Sequence, residues 1–229
     1  MSTQRAIPGP ATGGAPELSR DTPREVLADA VVHVVGLVAA VVGCVVLVVV
    51  LAGSGGWRGW LSVGLYGVGL LGMLGCSALH NLVHPAAWTP RLQRFDHAAI
   101  FVMIAGTYTP VALLGLGGRA GWALAGAIWS GALVGAALKL VASARFERAT
   151  LFAYLLLSWI GVAAMEVLIA RLPTADIALL LGGGLLYSLG VPVHLAARLP
   201  YHTALWHGFV VAAAACHYAV VLRLVIARG

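Results

Sequence analysis

AVVHVVGLVAAVVGCVVLVVVLAG, residues 30–53, decides what kind of molecule this is. It contains no Lys, Arg, Asp or Glu, and it exceeds the roughly 20 apolar residues that cross a bilayer core as a helix. Six more apolar runs follow, at 57–83, 95–116, 120–141, 150–170, 175–196 and 203–225. The breaks between them are GSGG (53–56), HPAAWTPRLQR (84–94), LGGR (116–119), ASARFER (142–148), RLP (171–173) and ARLPYH (197–202). Each break carries Gly, Pro or Arg, which end helices or resist burial in hydrocarbon. The pattern predicts an all-α, polytopic membrane protein built as a seven-transmembrane helix bundle.

Composition agrees. The 229 residues are 61% hydrophobic and 10% charged, against about 45–50% and about 25% in soluble domains. These figures exclude a soluble enzyme and a nucleic-acid-binding domain. The formal charge of +6 serves orientation in the bilayer and not nucleic acid, because the arginines sit between the apolar runs. Cys44, Cys76 and Cys216 lie inside apolar stretches without a close pair and read as free thiols. Residues 1–23 are Pro/Gly/Ala-rich and read as a flexible tail. Residues 24–229 read as one membrane domain, and no cleavable signal is expected.

Charge counting predicts the orientation. With the N-terminus cytoplasmic, the tail and the loops after spans two, four and six hold nine cations: Arg5, Arg20, Arg24, Arg91, Arg94, Lys139, Arg145, Arg148 and Arg198. The other side holds five: Arg58, Arg119, Arg171, Arg223 and Arg228. The positive-inside rule therefore favours a cytoplasmic N-terminus.

The scarce polar residues converge at that same end. Glu25, Asp29 and His33 open span one, and Ser77, His80, Asn81 and His84 close span two. Asp96 and His97 open span three, His194 closes span six, and His202 and His207 open span seven; only His217 lies deeper. Ionisable groups in a membrane are costly and mark function. At about 100° per residue, Ser77, His80, Asn81 and His84 share one stripe, and Glu25, Asp29, His33 and Gly36 share another. A pocket where His, Asp and Ser meet suits zinc, which takes imidazole and carboxylate ligands. The plainer reading is that His33, His84, His194 and His202 sit in the interface on water or headgroups. On that reading Glu25 and Asp29 are acids favoured by a helix N-terminus.

The segment FDHAAIFVMIAGTYTP (95–110) resembles the signature of the hemolysin III family, the bacterial branch of the progestin and adipoQ receptor superfamily. Glu25, Asp29, His33 and Gly36 are similar to its first-span pattern, and WHGFVVAAAACHY (206–218) to its seventh-span motif. The resemblance implies seven helices in a bacterial cell membrane, a cytoplasmic N-terminus and a zinc site near the cytoplasmic face. In metal-binding members a second-span Ser-x-x-x-His, a third-span Asp and a seventh-span His-x-x-x-His build that site. Ser77, Asp96 and His207 match; Asn81 and Thr203 stand where two histidines would. His80, His84 and His202 are the neighbouring candidates to complete the metal set with Asp96 and His207.

Three functions follow as expectations. The first is a zinc-dependent hydrolase of a lipid amide or ester, with Ser77 and Asp96 as catalytic residues. The second is a non-catalytic sensor or homeostasis protein with a structural His/Asp cluster. The third is a pore-forming cytolysin. Membrane lipids are the expected partners, and nucleic acid is not.

Overall fold

A computed structural model describes residues 22–53, 56–82, 89–141 and 147–228. The described residues form α1 (Pro23–Ala52), α2 (Trp57–Leu82), α3 (Thr89–Pro110), α4 (Gly118–Val141), α5 (Glu147–Trp159), α6 (Met165–Arg171), α7 (Thr174–Leu195) and α8 (His202–Arg228). A π turn (Val111–Leu116) prolongs α3, and a 3₁₀ segment (Ile160–Ala164) joins α5 to α6. Seven helical stretches are long and apolar enough to cross a membrane, with α5, the 3₁₀ segment and α6 together making the fifth. The protein is therefore an all-helical, multi-pass integral membrane protein.

The spans begin and end close to the expected breaks, with two informative differences. α1 starts at Pro23, inside the segment read as tail, because Thr22 and Glu25 close a capping box and Pro23 occupies the first turn. Residues 1–21 of that tail lie outside the described residues. α3 starts at Thr89, before the apolar run, and so carries Arg91, Gln93 and Arg94 as helical residues.

α1 shows how a membrane reverses the usual sorting. Its inward face is Asp29, His33, Gly36, Ala40, Gly43, Leu47 and Leu51, at helical spacing. Val31, Val34, Val35, Val38, Val42 and Val45 point outward. Lipid tails accept the valines, so packing against α8 is left to small residues. A Cβ on Gly36 would stand 2.8 Å from Val211, and one on Gly43 2.9 Å from the Tyr218 ring. This close approach holds the polar start of α1 against the polar start of α8.

α3 forms the centre. Its membrane window is 72% buried, against 11–39% for the other spans. α2 and α4 pack beside it, and α8 closes the ring against α1 and α7. At its far end, Pro110 has no N–H for the helical ladder, and the chain widens into the π turn before Gly117 (φ 65°) reverses it. The carbonyls left over at that terminus accept from Arg171 and Arg228.

Candidate metal and catalytic centre

Three helices bring four buried polar side chains together. Asp29 and His33 come from α1, Ser77 from the last turns of α2, and His207 from the start of α8; all are 4–9% exposed. The His207 Nδ1–H donates to Asp29 Oδ1 at 2.6 Å. The His33 Nδ1–H donates to the Asp29 carbonyl one turn back at 2.9 Å, with Asp29 Oδ2 3.5 Å away. Both rings therefore direct Nε2 inward as a lone-pair nitrogen. Ser77 Oγ lies 3.3 Å from Nε2 of His33 and 3.4 Å from Nε2 of His207.

The proton count at this point is unequal. Ser77 has one O–H, and two imidazole acceptors face it. The Asn81 amide is a donor too, but it is spent on the Ser77 carbonyl at 2.9 Å and on Ser77 Oγ at 3.5 Å. One imidazole lone pair is thus left for a ligand other than Ser77. Donor atoms of Asp29, His33 and His207 lie within 4.8 Å of one another, and the ring centroids of the two histidines are 4.3 Å apart. Two inward Nε2 atoms, one of them on a ring backed by a carboxylate, fit zinc.

The cluster opens on a cavity of about 530 Å³ that His33, Ser77, Asp96 and His207 line. It runs inward past Tyr108 and Leu168 and reaches His217, whose Nε2–H donates to the Leu180 carbonyl at 3.2 Å. The cavity is polar at one end and mostly apolar along its depth, where Thr107, Tyr108, Ser158, Tyr187 and His217 interrupt the apolar wall. Asp29 stands behind His207, outside the lining, where it orients the ring.

The structure distributes the sequence-derived candidates unevenly. His207 and Ser77 are central. Asp96 lines the cavity with Ser77 and His207 as its electrostatic neighbours, but outside the Asp29, His33 and His207 trio. His80 and His202 also line the cavity outside that trio. His202 Nε2 lies 3.4 Å from Thr203 Oγ1. His84 falls outside the described residues. The donors that sequence reasoning left out of the metal set are Asp29 and His33. Their signal was the shared stripe with Gly36, which places them on the buried face of α1. Asn81, at a family ligand position, holds Ser77 instead.

Comparison with known proteins agrees with the fold and the motifs. A family described as Haemolysin-III related matches residues 23–218. The chain is 35% identical to the Hemolysin-3 homolog of Bacillus subtilis (strain 168) over 202 residues, which cover 88% of this chain and 94% of the relative. It is 33% identical to Hemolysin-3 of Bacillus cereus over 204 residues, covering 89% and 93%. This seven-span protein, with its buried Asp/His/Ser cluster at one end of the bundle, belongs to the haemolysin III-related family.

Proposed function

We infer that the chain is a zinc-dependent intramembrane hydrolase acting on a lipid amide or ester from the cytoplasmic side of a bacterial cell membrane. The observation that carries this reading is the convergence of Asp29, His33 and His207 beside Ser77 at the head of a deep cavity. His33 and His207 would hold the metal through Nε2, with Asp96 as the carboxylate that lines the same cavity. Zinc, when bound, supplies Lewis acidity toward a carbonyl or a water. The chain's own residues do the rest. Asp29 fixes the ring plane and tautomer of His207. Ser77 offers its hydroxyl to the developing oxyanion. The apolar depth of the cavity accepts acyl chains and keeps the scissile group near the polar head.

A second reading rests on one particular geometry. Asp29 Oδ1, His207 Nδ1, His207 Nε2 and Ser77 Oγ follow one another at 2.6 Å and 3.4 Å, the order of an acid–base–nucleophile triad. In that reading Ser77 attacks the carbonyl and His207 takes its proton without any metal.

Turnover of fluorogenic lipid amides and esters by the purified chain in nanodiscs tests both. The zinc reading expects hydrolysis that a chelator abolishes and zinc restores. Chelator-resistant hydrolysis with Ser77 labelled by a fluorophosphonate would favour the triad. No turnover of any substrate by metal-replete protein would overturn both. The relatives' name raises lysis as well, and here dye-loaded liposomes are expected to retain their dye.

A further inference from the structure

The opposite end of the bundle holds a second cavity, of about 520 Å³. The starts of α2 and α4, the π turn and the ends of α6 and α8 enclose it. Three guanidinium groups line it: Arg58, Arg171 and Arg228. We propose that this cavity is a binding site for a phosphate-bearing anion, supplied as the headgroup of an anionic phospholipid or as free phosphate.

The first support is unneutralised charge. Among the described residues the ion pairs involve Asp29 and Asp176, and none of these three arginines takes part. Three cations gathered on one cavity leave an uncompensated positive field, and a phosphate supplies the counter-charge in a form that guanidinium binds bidentately.

The second is that two of the three are held in place by backbone. Arg228 Nη1 donates to the carbonyls of Leu114 and Gly115 at 2.9 and 2.5 Å, and its Nη2 to the Arg171 carbonyl at 3.1 Å. Arg171 Nη1 donates to the Leu116 carbonyl at 3.2 Å. Carbonyls orient these groups but leave their full charge, and each guanidinium carries five N–H donors. Arg171 and Arg228 therefore keep donors for a ligand.

The third is the shape of the rim. Gly117 and Gly118 turn with φ 65° and 57° into the first turn of α4, whose positive end adds to the field of the arginines. On the other side Arg58 lies 5.6 Å from the Trp57 ring, which stacks on Trp122 at 5.9 Å. A tryptophan pair at this level suits the headgroup layer. The site is separate from the Asp/His/Ser cluster, so it stands whatever that cluster binds.

Native mass spectrometry of the full chain in detergent tests the proposal with three probes: dioctanoyl phosphatidylglycerol, dioctanoyl phosphatidylcholine and inorganic phosphate. The expected result is a one-to-one phosphatidylglycerol adduct about tenfold tighter than phosphatidylcholine, weakened about fivefold by Arg58→Gln and again by Arg171→Gln. Arg119→Gln, an exposed cation of the same end that does not line the cavity, leaves the adduct unchanged. Saturable phosphate binding that Arg58→Gln weakens, with both lipids bound alike, assigns the site to free phosphate. Equal binding of both lipids with no phosphate adduct would overturn the proposal, as would Arg58→Gln and Arg171→Gln with wild-type affinity. Should Arg171→Gln fail to fold, Arg58→Gln decides alone, because that side chain is exposed.

Discussion

Ser77 has one hydroxyl proton and two imidazole nitrogens facing it, and that imbalance leaves one nitrogen for another ligand. Asp29 sets the imbalance by accepting hydrogen bonds from the Nδ1–H of His207 on its carboxylate and from that of His33 on its carbonyl, which leaves both Nε2 atoms as lone-pair nitrogens. Asp29→Asn keeps the shape but removes the charge that orients His207, and it is expected to weaken metal binding about 10–100-fold. Competition with a zinc-chelating dye reads that change, and an unchanged affinity would remove Asp29 from the site. The sequence made Ser77, Asp96 and His207 legible through the family motifs, and the stripe of α1 brought Asp29 and His33 to one face. It could not show that these two meet His207 across 174 and more residues of chain. That meeting depends on how closely α1 and α8 approach, which is a property of packing and not of periodicity.

At the scale of elements, small residues set the distances between helices. Gly106 of α3 faces the α2 backbone so closely that an added Cβ would stand 2.8 Å from the Leu65 carbonyl. Gly106→Val is expected to destabilise the bundle by about 1–3 kcal/mol through overpacking, read as a lower Tm of the detergent-solubilised protein. An unchanged Tm would mean that α2 and α3 do not meet there. The π turn depends on a different device. Arg228→Ala would leave the carbonyls of Leu114, Gly115 and Arg171 without that donor, a loss of about 1–3 kcal/mol that the same Tm measurement reads. Apolar runs placed all seven spans, though spans one and three start five to seven residues earlier than expected. They did not reveal the π turn or the 3₁₀ break in span five, because hydropathy registers which residues lipid tolerates and not the hydrogen-bond period of the backbone.

The whole molecule has two chemically distinct ends. One gathers Asp29, His33, Ser77 and His207 at the head of the first cavity; the other gathers Arg58, Arg171 and Arg228. The excess of Lys and Arg beside the first end predicts that it faces the cytoplasm. Fused to the C-terminus, alkaline phosphatase is expected to be active and a green fluorescent protein dark; the reverse pattern would invert the orientation. The membrane class was legible from composition alone, since 61% hydrophobic residues leave a soluble core nowhere to stop. The central claim is that the Asp/His cluster at the first end is a metal site assembled from α1 and α8. Elemental analysis of freshly purified protein tests it most directly. The account predicts stoichiometric zinc in the wild type, lost in His33→Ala and in His207→Ala while the folded bundle persists. Less than roughly a tenth of an equivalent in the wild type after zinc-replete expression would contradict it.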